Sequence, residues 1–258
     1  MPYIRSNGIR LYYETCGRGP QMLLIHGLGN DLREWQPLTR RLKGEFTFIS
    51  CDMRGSGRSD KPGGPYTIEM MADDVAGLLE RVAEPPVDIV GFSMGGCVAL
   101  ELALGRPELV KRLVLVSTIP SWRGPYPPSE KVKTLFRRTD VSEALLIEVY
   151  ETIFGARYRD TVSPKEYVAE RMSDEFPQPV EAYLGQLAAL ESFDVRDRVN
   201  AISAETLVVV GAEDRVLPPE NSRWLAEKIP SAHLETIEAA GHMIPIEAPD
   251  ELAALITQ

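Results

Sequence analysis

Ser93 lies between an apolar run and a helix-forming run, in the glycine-rich hexapeptide GFSMGG of residues 91–96. The run Val87–Phe92 is typical of a buried strand, and the residues after Ser93 favour a helix. A nucleophile on such a sharp turn has strained backbone angles and needs small neighbours, which the glycines supply. The helix N-terminus would also aim free N–H groups at a developing oxyanion. By itself the pattern fits both a nucleophilic serine and a purely structural turn.

A serine nucleophile needs a general base, and the chain contains three histidines. His233 lies in a strand-like alternation that is typical of an edge or surface position. His26 ends an apolar run and is interpreted as a residue that fixes a loop. His242 lies in a loop after the last strand signal and before a helix that begins near Pro249. This loop could carry its imidazole to the carboxyl edge of a sheet, so His242 is the predicted base.

The base in turn needs an acid that holds its tautomer and stabilises the imidazolium. Asp214 follows the apolar run 206–211 at its C-terminal end, the edge of an open α/β sheet where ligands bind. Glu213 is the competing assignment because it is the immediate neighbour. Asp214 is the predicted acid because it lies one residue further along the turn that follows this run.

Stabilisation of an oxyanion requires two hydrogen-bond donors. The N–H of Met94, directly after Ser93, is the first candidate. The second should come from the glycine-rich turn HGLGND, in which the N–H of Leu28 is best placed. Glycines that only permit a tight turn would give the same pattern as an oxyanion turn. The serine, acid, histidine and glycine-rich turn nevertheless occur together in one consistent order, which is hard to attribute to chance.

Strand and helix signals alternate over most of the chain, which predicts an α/β fold with a mostly parallel, twisted sheet and helices on both faces. Residues 68–82 repeat apolar side chains at helical spacing and predict one covering helix. An Asn7-Gly8 turn predicts an N-terminal hairpin. The predicted strands span residues 3–6, 9–15, 22–27, 46–51, 87–92, 112–117 and 206–211.

The alternation stops after Ser117, where a proline-rich connection is followed by amphipathic helical sequence up to about Asp197. This break predicts a helical cap, residues 119–197, inserted into a core domain formed by residues 1–118 and 198–258.

Composition restricts the partners of the protein. A formal net charge of −10 with scattered basic residues argues against binding to nucleic acid or to an anionic membrane. Cys16, Cys51 and Cys97 are widely spaced and form no metal-ligand pattern, so reduced thiols, no metal and no cofactor are expected. The N-terminal residues lack the features of a signal peptide, and a cytoplasmic protein is expected. The sequence is compatible with a homo-oligomer.

The segments HGLG, DMRGSGRSDKP, GFSMGG, GAEDRVLP and GHMIPIEAP together resemble the α/β-hydrolase-fold superfamily over nearly the whole chain. Within it, the sequence is most similar to 3-oxoadipate enol-lactonase-like and carboxylesterase members. The resemblance implies a Ser93, Asp214, His242 triad in that chain order and a cap inserted after the sixth strand.

The expected activity is hydrolysis of a carboxylic ester or lactone through an acyl-enzyme, with a small, largely apolar molecule as substrate. Five cap arginines could hold a substrate carboxylate, although most such residues on exposed helices are simply solvated: Arg123, Arg137, Arg138, Arg157 and Arg159. The predicted substrate contacts are Trp122, Tyr126, Phe154, Val216, Leu217 and Met243.

Three alternatives use the same three residues. A carbon–carbon bond hydrolase of the meta-cleavage-product type is weakened because such enzymes typically follow the catalytic histidine with Trp, where this chain has Met243. A cofactor-free perhydrolase would replace water by peroxide. A receptor or regulatory member of the fold would retain only slow turnover.

Overall fold

The computed structural model describes residues 2–258, and within that range eight strands form one sheet in the order β1-β2-β4-β3-β5-β6-β7-β8. The strands β1 and β2 form the predicted hairpin, β2 pairs antiparallel with β4, and all other neighbours are parallel. The strands are β1 Tyr3–Ser6, β2 Ile9–Gly17, β3 Gln21–Ile25, β4 Thr47–Cys51, β5 Val87–Phe92, β6 Val110–Val116, β7 Glu205–Gly211 and β8 Ala232–Ile237.

Burial follows position in the sheet. All six residues of the central strand β5 are buried, whereas the edge strand β8 exposes His233, Glu235 and Thr236. Strand β6 begins two residues before its predicted start because Val110 already pairs with Val87. It ends one residue earlier than predicted because Ser117 takes a positive φ of 46°.

Helices cover both faces of the sheet, as predicted. Helix α2 packs against α3, and α1 packs against α11. Thr67 caps α2 by accepting a hydrogen bond from the N–H of Met70. The helices outside the segment between β6 and β7 are α1 Gln36–Leu42, α2 Ile68–Val82, α3 Met94–Gly105, α9 Glu220–Lys228, α10 Ile244–Glu247 and α11 Pro249–Ile256.

Between β6 and β7 the chain forms further helices, which confirms the predicted helical insertion after the sixth strand. Its two ends are held together, because the N–H of Trp122 donates to Phe193 and the N–H of Val195 donates to Pro120. We call residues 119–197 the insertion; these domain boundaries stay a prediction. Its helices are α4 Glu130–Arg137, α5 Glu143–Ile153, α6 Ala156–Arg159, α7 Pro164–Met172 and α8 Val180–Ser192.

None of the helices formed by residues 2–258 combines the length and the apolar character needed to cross a membrane.

Candidate active site

Ser93 occupies the turn between β5 and α3 with φ 52° and ψ −117°, a conformation that non-glycine residues rarely adopt. Hydrogen bonds fix it there. The N–H of Ser93 donates to the carbonyl of Val116, and its own carbonyl accepts from the N–H of Gly96, each at 2.9 Å. The Thr118 hydroxyl also donates to that carbonyl, at 2.7 Å. The strained turn is therefore determined by its surroundings.

The glycines of this turn are required by close backbone contacts. A Cβ atom on Gly95 would lie 2.2 Å from the carbonyl oxygen of Ile25, and a Cβ atom on Gly91 would lie 2.4 Å from the carbonyl oxygen of Gly95. Both obstacles are backbone atoms, which cannot move aside as a flexible side chain could. Helix α3 can approach strands β3 and β5 this closely only because these positions lack side chains.

The structure brings Ser93, His242 and Asp214 together. The Ser93 Oγ lies 3.0 Å from Nε2 of His242, and Nδ1 of His242 lies 2.8 Å from Oδ2 of Asp214. The three residues are 7%, 4% and 5% exposed, respectively. Each follows the carboxyl end of a parallel strand, namely β5, β8 and β7, so the topology of the sheet brings them to one edge.

The second carboxylate oxygen of Asp214 is also occupied. Its Oδ1 accepts hydrogen bonds from the N–H groups of Val216 and Leu217, both at 2.9 Å. These bonds leave Oδ2 directed at His242 and favour the tautomer with a proton on Nδ1. The unprotonated Nε2 then faces the serine hydroxyl, as a general base must.

Glu213, the competing acid, points elsewhere. Its Oε2 accepts the N–H of Ala156 in the insertion at 2.8 Å. The neighbouring carboxylates thus have separate partners, with Asp214 on the histidine and Glu213 at the start of α6.

The loop that carries His242 is held against the insertion. The N–H of His242 donates to the carbonyl of Ile153, at the end of α5, at 2.8 Å. Glycines allow the close backbone contacts around this loop. A Cβ on Gly241 would lie 2.5 Å from the nitrogen of Gly155 in the insertion, and a Cβ on Gly211, in β7, would lie 2.1 Å from the Gly241 oxygen. Sequence reasoning did not identify Gly155, since its contact is formed across distant segments.

Glu247 supports the same region from α10. Its Oε2 accepts the N–H of Gly155 at 2.9 Å. Burial raises the pKa of the Glu247 carboxyl, against the effect of the backbone N–H groups that it accepts.

The two predicted oxyanion donors belong to segments that adjoin Ser93. Met94 begins helix α3, and a Cβ on Gly27 would lie 3.4 Å from the Cβ of Ser93, so the turn containing Leu28 borders the serine. Across residues 2–258, the N–H groups of Leu28 and Met94 donate to no other backbone carbonyl. That these two N–H groups bind a substrate oxygen stays a prediction.

The other predicted site residues differ in placement. Val216 and Leu217 follow Asp214, Met243 follows His242, and all three are buried. Trp122 is buried near the start of the insertion, whereas the Tyr126 side chain is 40% exposed. Phe154 is buried in an aromatic cluster and stacks on Tyr158 with 4.2 Å between ring centroids. Their contacts with a substrate stay predictions.

Most of the arginines of the insertion that could hold a substrate carboxylate already have protein partners. Arg137 pairs with Glu191, Arg138 with Asp140 and Glu148, and Arg157 with Glu251. Arg159 donates to the carbonyl of Gly155 at 3.4 Å.

Two residues near the turn of residues 27–30 were not identified from the sequence. Glu34 accepts the N–H of Gly27 at 2.9 Å and the side-chain amide of Asn30 at 2.5 Å. Burial raises the pKa of Glu34 to about 8. Arg171, on helix α7, donates to the carbonyl of Gly29 at 2.9 Å. No local motif marks either residue, because their roles depend on tertiary contacts.

Residues 2–258 contain no group of three or more His, Cys, Asp or Glu side chains arranged to hold a metal ion.

The sequence matches the alpha/beta hydrolase fold family over residues 20–249. It is 28% identical to 3-oxoadipate enol-lactonase 2 of Acinetobacter baylyi over 250 residues, covering 95% of this chain and 91% of that protein. It is 30% identical to 2-hydroxymuconate semialdehyde hydrolase of Pseudomonas sp. strain CF600 over 266 residues, covering 98% and 91%. The solved enol-lactonase from Burkholderia xenovorans LB400 superposes with a TM-score of 0.86 at 28% identity, covering 99% of this chain and 98% of that one. The chain belongs to the alpha/beta hydrolase fold family.

This assignment confirms the fold class and the resemblance to enol-lactonases and esterases. The bond that the protein cleaves is a separate question, because these relatives act on different substrates and share less than a third of their residues with it.

Proposed function

We propose that the protein is a serine hydrolase that cleaves the carboxylic ester or lactone bond of a small, largely apolar substrate. The observation that carries the proposal is the continuous hydrogen-bonded series from Ser93 Oγ through His242 to Asp214. A nucleophile, a base and an acid that orients the base are the parts required for acyl transfer.

In the first half of the reaction, Nε2 of His242 takes the proton of Ser93 while Oγ attacks the carbonyl carbon. The carbonyl oxygen becomes an oxyanion and accepts hydrogen bonds from the N–H groups of Leu28 and Met94. The tetrahedral intermediate then collapses: the bond from carbon to the leaving oxygen breaks, and His242 gives its proton to the alkoxide. Asp214 stabilises the imidazolium that exists between these steps.

In the second half, a water molecule takes the place of the leaving group. His242 removes a proton from the water, whose oxygen attacks the acyl carbon. The bond to Ser93 Oγ breaks, Ser93 recovers its proton from His242, and the carboxylic acid leaves.

Apolar substrates are favoured by the side chains next to the reacting groups. Val216, Leu217 and Met243 are buried and lie within three residues of Asp214 or His242 in the chain. A pocket with few polar groups would bind an acyl chain through apolar burial, and orientation would come from the oxyanion donors.

A carbon–carbon bond hydrolase is the second candidate. The specific observation behind it is the 30% identity with 2-hydroxymuconate semialdehyde hydrolase over 98% of the chain. The same Ser93, His242 and Asp214 would serve this reaction.

The proposal is tested with a panel of p-nitrophenyl esters, lactones and vinylogous diketones. Ser93→Ala provides the blank, and Ser231→Ala, which alters an exposed serine at the start of β8, is the matched control. We expect ester or lactone turnover that falls by a factor on the order of 10³ or more in Ser93→Ala and is unchanged in Ser231→Ala. Near wild-type turnover in Ser93→Ala would contradict the proposal, and turnover of the diketones alone would favour the second candidate.

A further inference from the structure

The turn of residues 27–30, here called the oxyanion loop, is held from inside the protein by two buried side chains. His26 lies with its Nδ1 2.8 Å from the carbonyl oxygen of Gly27. Glu34 accepts the N–H of Gly27 on one carboxyl oxygen and the amide of Asn30 on the other. The backbone at Gly27 is therefore restrained on both of its peptide units.

The tautomer of His26 follows from its second partner. The N–H of Met53 donates to Nε2 of His26 at 2.9 Å, so Nε2 is unprotonated. The proton is therefore on Nδ1, which donates to the Gly27 carbonyl. That carbonyl belongs to the same planar peptide unit as the N–H of Leu28, so holding the oxygen also sets the direction of the predicted oxyanion donor.

The oxyanion loop is also held by residues of the insertion. Arg171 on helix α7 donates through Nη2 to the carbonyl of Gly29 at 2.9 Å and through Nη1 to the side chain of Asn30 at 3.4 Å. Gly29 has a φ of 75°, and a Cβ on it would lie 3.4 Å from the ring of Tyr183, on α8. Two helices of the insertion thus meet the loop at Gly29 and Asn30.

The segment that follows Arg171 is attached to the core at further points. Asp174 pairs with Arg33, and the side-chain amide of Gln178 donates to the carbonyl of Gly55 at 3.0 Å. These contacts fix where helix α7 sits. Of the three side chains, Arg171 is the one that reaches the oxyanion loop.

We propose that Arg171 is a positioning residue that makes the alignment of the Leu28 N–H depend on the seating of helix α7 against the core. The inference rests on the proposed function, because it assigns an effect on oxyanion stabilisation. Displacement of α7 would release the Gly29 carbonyl, and the loop would then keep only the hydrogen bonds of His26 and Glu34 and the packing of Tyr183. Hydrolysis would be fastest only while the insertion is seated.

The test compares an uncharged aryl acetate with the matching aryl thionoacetate, in which sulfur replaces the carbonyl oxygen. Sulfur accepts N–H hydrogen bonds weakly, so the ratio of the two rates reports how well the oxyanion donors are aligned. Neither compound has a carboxylate for Arg171 to bind. The variants are Arg171→Met, Arg171→Lys and the control Lys165→Met, which removes an exposed charge from the same helix.

We expect Arg171→Met to lower kcat on the acetate by about tenfold, since small misalignments of catalytic groups have effects of this size or larger. The thionoacetate rate and KM should change little, so the oxygen-to-sulfur ratio also falls about tenfold. Arg171→Lys should recover part of the ratio because its ammonium can donate to one acceptor. Lys165→Met should match wild type. Equal slowing on both esters in Arg171→Met would overturn the inference.

Amide hydrogen exchange gives a readout that needs no turnover. The peptide covering residues 23–35 should exchange faster in Arg171→Met than in wild type or Lys165→Met. Unchanged exchange in Arg171→Met would overturn the inference even if the esterase proposal holds. A wild type no faster than Ser93→Ala on either ester would instead refute the proposed function.

Discussion

Replacement of Asp214 by asparagine would keep the shape of the side chain and reverse the polarity of its contact with His242. Oδ1 of Asp214 accepts the N–H groups of Val216 and Leu217, so the amide oxygen of the asparagine must take that position. The NH₂ group then faces Nδ1 of His242, which becomes an acceptor. The neutral imidazole must therefore carry its proton on Nε2, where it faces Ser93 Oγ and cannot act as the base.

The size of the effect follows from the cost of restoring the productive tautomer. A flipped amide would leave two buried N–H groups without acceptors, at about 1–3 kcal/mol each. The resulting total of about 2–6 kcal/mol corresponds to a loss of roughly 30-fold to 10⁴-fold. The imidazolium also loses the stabilising charge of Asp214, so we expect kcat to fall by about 10³ to 10⁴.

The measurement is steady-state release of p-nitrophenolate from a short aryl ester at neutral pH, with folding checked by circular dichroism. Glu213→Gln is the matched control, because that carboxylate contacts Ala156 and not the histidine; its kcat should stay within about threefold of wild type. A kcat within tenfold of wild type in Asp214→Asn, or an equal loss in Glu213→Gln, would refute the assignment of the acid.

Two further predictions concern stability. Gly95→Ala would place a Cβ 2.2 Å from a backbone oxygen of β3, so urea denaturation should show an unfolding free energy lower by about 3 kcal/mol or more. The control Gly105→Ala, with no atom beyond its chain neighbours and its own helix within 4 Å of the new Cβ, should be neutral or stabilising by up to about 1 kcal/mol. Equal effects of the two substitutions would contradict the role of Gly95 in the turn. Burial raises the pKa of Glu34 from 4.5 to about 8, so its contribution to stability is fully present below about pH 4.5 and is lost as the pH rises through 8. Glu34→Gln should therefore lose less unfolding free energy between pH 5 and pH 8.5 than wild type, by up to about 4 kcal/mol, and parallel pH profiles would contradict this pKa.

The three residues of the hydrogen-bonded series could be predicted because each lies in a short local pattern at the end of a strand. Parallel strands bring their carboxyl ends to one edge, so the order of the strand signals is sufficient to bring the patterns together. The choice between Asp214 and Glu213 could not be made as firmly from sequence. It depends on which carboxylate accepts the N–H groups of Val216 and Leu217, and adjacent acids share their sequence context.

Contacts between the insertion and the core were beyond sequence reasoning. Arg171 lies 142 residues from Gly29 in the chain, and its position depends on how several helices pack, which periodicity does not encode. The approach of Gly155 to Gly241 is similar, since an isolated glycine gives no sign of its partner. Several strand ends differ from the predicted ends by one or two residues, because backbone conformation decides where pairing starts and stops. Strand β6 begins early since Val110 already pairs with Val87, and it ends early at the positive φ of Ser117.

A covalent acyl-enzyme on Ser93 can be trapped and detected by mass spectrometry after rapid acid quenching of a reaction with excess aryl ester. The intact protein should gain the mass of one acyl group, mapped to the peptide that contains Ser93. The same treatment should leave Ser93→Ala unmodified. Hydrolysis of the ester with no adduct, or with the adduct on another residue that persists in Ser93→Ala, would contradict the account.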